Sequence, residues 1–142
     1  MIKSGCETEM KDTLTGLDRY EVFLEKLQQE LDLIGDDNIV VIYTDIKHFK
    51  YINDTYGYKV GNALLKEFVA EFTNNNRLLV GAARVYSDNF VAANRISADG
   101  YTKESFREMI RRRNQEWETK FREKYLNSRL QFCTGISIVN KN

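Results

Sequence analysis

Five consecutive residues, Ile39, Val40, Val41, Ile42 and Tyr43, limit what this chain can fold into more than any other feature. β-Branched and aromatic side chains favour a pleated strand, and an unbroken apolar run leaves neither face for water. The segment therefore reads as a central strand, covered above and below, that gives way to polar Thr44 and Asp45. It falls far short of the ~20 apolar residues that span a bilayer, and MIKSGCETEM at the N-terminus has no apolar signal-peptide core. A cytoplasmic chain with no membrane partner is the expectation.

The covering layers are legible on either side. In 18–34, Tyr20, Leu24, Leu27, Leu31 and Ile34 line one face of a helix. Asp18 with Glu21 is its expected N-cap pair, and Gly35 stops it. A second helix is predicted over 60–72, with Gly61, Leu65, Phe68 and Phe72 on one stripe and Asn74, Asn75 and Asn76 ending it. Residues 78–86 and 90–96 read as a β-hairpin across Ser87, Asp88 and Asn89. A long charged helix at 102–126 carries Phe106, Ile110, Trp117, Phe121 and Tyr125 inward. Its Arg111, Arg112 and Arg113 read as a solvated face, with a phosphate-binding patch as the other reading. A last strand over 132–139 is expected to bury the Cys133 thiol. The order predicts an α+β fold, a mostly antiparallel sheet flanked by helices.

Composition narrows the class. At 142 residues there is room for one domain, and 42% apolar against 30% charged residues can build a core. The 21 basic and 21 acidic residues cancel, which removes any bulk electrostatic reason to expect nucleic acid. Two cysteines, Cys6 and Cys133, and one histidine supply neither a disulfide framework nor a zinc site.

Three segments can carry chemistry. Residues 45–54, DIKHFKYIND, leave the central strand. A carboxylate at such an exit suits a Mg²⁺ ligand beside a phosphate, with Lys50 to meet the phosphate and Asn53 to read a base edge. Asp45 alone reads more readily as a strand-terminal turn residue. Residues 57–62, GYKVGN, open a helix with two glycines that can bring amides close to an anion. Tyr86, Ser87, Asp88, Asn89 and Phe90 form the hairpin tip, where an aspartate is ordinary by itself.

Taken together, these segments resemble the GGDEF, or diguanylate cyclase, domain family. DTLTGL at 12–17 with Phe23 is similar to its opening signature, DIKHFKYIND to DIDxFKxIND, and GYKVGN to GHxxGD. Arg84 precedes the tip as in RxGGDEF, and TGISI at 134–138 stands where the family has its TxSxG strand. The resemblance covers 12–142 and leaves 1–11 as a tail or linker. It implies a nucleotidyl-cyclase-like, ferredoxin-like palm that condenses two GTP molecules into cyclic di-GMP across a homodimer, with Mg²⁺. The implied metal ligands are Asp45, the Ile46 carbonyl and Asp88, with Asp45 and Asp88 also the catalytic pair. The backbone around Phe49 and the Lys50 side chain would face the phosphates, Ser87 the nucleotide, and Asn53 and Asn62 its guanine.

The departures shape the expected function. Tyr86 and Ser87 stand where the family has glycines, and their bulk is expected to close the path to the phosphates. Asn89 is neutral where the family has a glutamate. Lys47 replaces the second aspartate of DIDxF, and strand alternation is expected to turn it to the other sheet face. Asn62 replaces an aspartate, which weakens guanine readout by roughly 1–3 kcal/mol. Arg77 is a remnant of the family's inhibitory RxxD, with Val80 in place of its aspartate. The family's C-terminal helix and last strand are expected to be missing, as in a C-terminally truncated domain. The resemblance thus implies a catalytically silent domain with a regulatory, nucleotide-sensing or interaction role toward an attached or partner signalling domain. The alternative is a working diguanylate cyclase.

Overall fold

In a computed structural model, the structure describes residues 11–74, 76–96 and 102–139. The tail at 1–10 with Cys6, the helix-ending Asn75 and the chain end at Asn142 lie outside the described residues. The elements run α1 (Tyr20–Ile34), β1 (Ile39–Lys47), α2 (Phe49–Tyr56), α3 (Tyr58–Thr73), β2 (Leu79–Tyr86), β3 (Asn89–Arg95), α4 (Lys103–Lys124) and β4 (Gln131–Ile138). The sheet order is β2-β3-β1-β4 and every neighbouring pair is antiparallel. β1 is therefore paired on both edges, as its apolar run predicted. Among the described residues no helix is long and apolar enough to cross a membrane.

The two faces of β1 bury different layers. On one, Val40, Ile42 and Ile46 join α3 and α4 through Phe68, Phe72, Phe106, Ile110, Trp117 and Phe121. On the other, Ile39 and Val41 meet Phe23 and Leu31 of α1, together with Val91 and Ala93 of β3. α1 stops short of the far end of β1, so Tyr43, Lys47 and the outward residues of β4 stay exposed. That uncovered half-face is where Asp45 lies.

Several expectations are corrected. β1 continues four residues past Tyr43, because pairing on both sides carries the ladder through polar residues once one face is open to water. An unpredicted short helix, α2, follows, burying Phe49 and Ile52 one turn apart. Cys133 is exposed rather than buried: β4 is an outer strand, and Cys133 pairs with Asp45 on the uncovered face. Arg113 is not a solvated charge. Its guanidinium lies 4.2 Å over the Trp117 ring, and burial lowers its pKa to about 10, while Arg111 and Arg112 are exposed.

Asp18 does not cap α1, which begins after Arg19 with no side-chain cap bond. Its carboxylate is already committed, accepting from Lys26 Nζ at 2.6 Å and Lys11 Nζ at 3.0 Å, and its amide donates to Ala82 O at 3.2 Å. Burial pushes this carboxyl up, but the hydrogen bonds from Lys26 and Lys11 outweigh burial and hold it below the ordinary aspartate value. A depressed folded-state pKa stabilises the fold above the unfolded pKa of ~3.9, and that contribution is lost as pH falls through the folded value. Asp18→Asn is expected to cost about 1–2 kcal/mol at neutral pH, with both lysines half-exposed. Urea unfolding followed from pH 7 to pH 3 should show a shallower acid loss in the variant; parallel curves would remove Asp18 from this role.

Candidate functional site

The open half-face of the sheet gathers the candidate residues in rows. Asn89 of β3, Asp45 of β1 and Cys133 of β4 are direct cross-strand partners, so their side chains share one face. The hairpin turns over Ser87 and Asp88, and Ile46 N–H donates to Asp88 O at 3.1 Å, which ties the tip to β1. Burial, together with the nearby negative charge of Asp45, raises the Asp88 carboxyl above the usual aspartate value. The two acids singled out in the sequence are thus brought together.

Lys47 joins them. Residues two apart on a strand share a face, and β1 runs through Lys47, so the expectation that it turns away is overturned. Its Nζ lies 2.7 Å from Asp45 Oδ2. The hydrogen bond and charge of Asp45 raise the Lys47 pKa, with smaller contributions from Cys133 and Asp88. A cation is held where the resemblance implies a metal.

The tip itself departs from the bulk argument. Tyr86 is 68% exposed, so its ring is not packed into a crevice. It borders a cleft of about 380 Å³ shared with Asp12, Thr13, Arg19 and Tyr20. Ser87 instead carries a conformational load, with φ +44 in the left-handed region that favours glycine. Arg84 steadies this turn: its Nε donates to Ser87 O at 2.7 Å and its Nη1 lies 3.4 Å from Asp12 Oδ1. Asp12 Oδ2 also accepts from the Thr15 amide at 2.8 Å and hydroxyl at 2.6 Å. Residue-by-residue reading missed this clamp. The signal was present in two motif fragments, DTLTGL and the arginine before the tip, whose ends meet in space.

The nucleotide-facing candidates lie around α2 and α3. His48, at φ +68, turns the chain from β1 into α2. Phe49 is 5% exposed and buried in the core, so only its backbone can face a ligand. Lys50 is exposed on α2 and Asn62 on α3. Asn53 Oδ1 is buried with no hydrogen-bond donor, and a Cβ at Gly61 would lie 1.9 Å from it. Asn53 is therefore held against the backbone at Gly61, beside Asn62. Arg77 lies before β2, at the opposite end of the hairpin from Asp88, and is not part of this group.

Gly61→Ala tests that packing. The added methyl must displace the Asn53 amide, and overpacking of this kind costs about 1–3 kcal/mol. A melting curve indistinguishable from that of the unmutated protein would show that Asn53 moves aside freely.

The metal implied by the resemblance can be checked against the donors present. Mg²⁺ demands a near-octahedral shell of oxygens, usually one or two carboxylates with phosphate and water. Here Asp45 already holds an ammonium, burial raises the Asp88 carboxyl above the usual aspartate value, and Ile46 offers only a carbonyl. Among the described residues no group of three His, Cys, Asp or Glu side chains is placed to hold a metal. The Lys47 ammonium thus competes for the carboxylate that the resemblance assigns to Mg²⁺.

Comparison with known proteins agrees with this geometry at the level of fold and family. The response regulator PleD of Caulobacter vibrioides is 31% identical over 89 residues, which cover 61% of this chain and 20% of PleD. The chain thus spans about a fifth of that relative's length. The crystal structure of the coiled coil and GGDEF domain of DgcB from Caulobacter crescentus, in complex with c-di-GMP, superposes with a TM-score of 0.71 at 17% identity, covering 95% of this chain and 72% of that one. Diguanylate cyclase SiaD of Pseudomonas aeruginosa, solved in complex with its activator SiaC, superposes with a TM-score of 0.65 at 19% identity, over 96% and 53% of the two chains. The sequence pattern of the family described as "Diguanylate cyclase, GGDEF domain" matches residues 9–142. The chain belongs to the GGDEF domain family.

Proposed function

We propose that this GGDEF domain binds a guanine nucleotide without turning it over and passes the bound state to an attached or partner signalling domain. Family membership makes it a domain of the kind found in cyclic di-GMP signalling proteins. The observation that carries the silent reading is the 2.7 Å contact between Lys47 Nζ and Asp45 Oδ2. Phosphoryl transfer on a nucleotide relies on cations that bridge phosphate oxygens and are held by protein carboxylates. In this chain an internal ammonium competes for that carboxylate. Burial and the charge of Asp45 raise the second acid, Asp88, above the usual aspartate value, so placing a second negative charge beside Asp45 is costly.

Nucleotide recognition has support of its own. Asn53 Oδ1 is a buried acceptor without a donor, and a base would reach it once the amide turns out from Gly61. Lys50, Ser87 and Asn62 are exposed to solvent, and Phe49 would contribute its backbone. A regulatory partner is consistent with SiaD, which was solved with its activator, and a homodimer with the family's two-substrate chemistry. Arg77 is proposed only as a remnant of the inhibitory motif.

The test is GTP binding by calorimetry with Mg²⁺ and then with EDTA, followed by product analysis. Binding that differs less than about twofold between the two conditions, with no cyclic dinucleotide formed, is the expected result, since uncoupled ligands leave each other's affinity unchanged. Accumulating cyclic di-GMP would establish the working cyclase instead.

A further inference from the structure

The connection between α4 and β4 builds a cleft that the proposed nucleotide site does not account for. It measures about 430 Å³ and is lined by His48, Arg122, Asn127, Ser128, Arg129 and Gln131. Two arginines and a histidine face it alongside three neutral hydrogen-bonding side chains, and its lining contains no acid. Among the described residues neither Arg122 nor Arg129 is in an ion pair, whereas Lys120 and Lys124 on the same helix are both matched to glutamates. In a chain with equal numbers of acidic and basic residues, an unneutralised cluster of this kind is a local feature.

The second observation is Ser128. It is only 2% exposed, and its hydroxyl has no hydrogen-bond partner although it lines the cleft. A buried polar atom without a partner calls for an explanation, and an unseen ligand is one. The surrounding geometry is specific. Arg122 is held in place because its Nε donates to Leu130 O at 2.9 Å, which leaves the outer edge of the guanidinium for other partners. Pairing of Lys47 with Gln131 brings the start of β4 beside His48 at the entry to α2. Cations plus hydroxyl and amide donors, without a competing carboxylate, are the donor set that a tetrahedral oxyanion requires.

We infer that the α4–β4 connection is an oxyanion site that takes a phosphate group, with Arg129 and Arg122 supplying charge and Ser128 a buried hydrogen bond. Two sources can deliver that group: the terminal phosphates of a nucleotide seated at Lys50 and Asn53, or a separate phosphate compound. The site itself does not depend on which.

The experiment titrates inorganic pyrophosphate into the whole chain and follows the backbone amides of 127–131 by NMR. Saturable shifts are expected there. Arg129→Gln should weaken binding about tenfold or more, as befits a charge-assisted pair, and Ser128→Ala about fivefold, the scale of one hydrogen bond. Ser128→Ala removes a hydroxyl without a partner, so its melting temperature should not fall. Lys124→Gln, on the same helix but outside the cleft, should bind pyrophosphate as the unmutated protein does. The proposal is overturned by unsaturable shifts, or by pyrophosphate affinity that neither Arg129→Gln nor Ser128→Ala changes. GTP and GMP then separate the sources. If Arg129→Gln weakens GTP but not GMP, the phosphate belongs to a nucleotide. If it weakens only pyrophosphate, the ligand is a separate compound. A protein that binds no GTP would end the proposed function while leaving the pyrophosphate result to decide this site.

Discussion

Lys47→Asp is expected to make guanine-nucleotide binding respond to Mg²⁺, tightening about tenfold or more when the ion is added, within the usual range of coupling between two ligands. The unmutated chain should change less than about twofold under the same conditions. The reason is local. Lys47 Nζ is 2.7 Å from Asp45 Oδ2, so a dication approaching that oxygen must displace an ammonium already hydrogen-bonded to it. The substitution removes the cation and adds a carboxylate on the same face of β1, two residues along, beside Asp88. Three acids then converge where two stood, which begins to resemble an oxygen cage for a small hard ion. Lys47→Gln separates the two effects, because it removes the ammonium without supplying an oxyanion, and it should fall between the other two proteins. Calorimetric titration of GTP with Mg²⁺ or EDTA reads all three. If Lys47→Asp and the unmutated chain respond to Mg²⁺ alike, the ammonium is not what keeps the metal out.

The fold was readable because its core follows simple periods. The apolar stripe at Tyr20, Leu27 and Leu31, the unbroken run into β1, and the hairpin around Ser87 and Asp88 each announce one element. Three things escaped, each for a physical reason. The far half of β1 alternates between a buried and an open face, so Thr44 to Lys47 look like a loop until β3 and β4 are known to pair with them. α2 buries only Phe49 and Ile52, too few positions to show a helical period. Asp18 has the composition of a cap but lies between two lysines seven and eight residues away, a tertiary fact. At the site, the motifs located Asp45, Asp88, Asn53 and Asn62. They put Lys47 on the wrong face, although a side-chain period of two returns position 47 to the side of Asp45. The Ser128 cleft lies in no motif at all, and only burial exposes it.

Phe68→Ala is expected to cost about 3–5 kcal/mol, the range for deleting a buried phenyl ring from a core. Phe68 is 1% exposed and sits where four elements meet. Its ring centroid lies 5.1 Å from those of Phe72 and Phe90 and 5.2 Å from those of Trp117 and Phe132. Emptying that position leaves a hole bordered by other rings, which are too rigid to collapse into it. Since single domains keep only about 5–15 kcal/mol in hand, the variant should lose a large fraction of its stability. Phe68→Leu refills most of the volume and should lose about 1–1.5 kcal/mol. Urea unfolding of the three proteins gives the midpoints, and an unchanged slope keeps the comparison two-state. The same substitution reaches the site through the chain. Phe90 adjoins Asn89 and Asp88 at the tip, and Phe132 adjoins Cys133 opposite Asp45, so loosening their shared neighbour frees the hairpin and β4 together. The amides of Asp88 and Phe132 should therefore exchange faster in Phe68→Leu than those of Val41, which packs on the α1 side. A loss below about 1 kcal/mol in Phe68→Ala would mean the ring cluster relaxes around the gap and that Phe68 is not its centre.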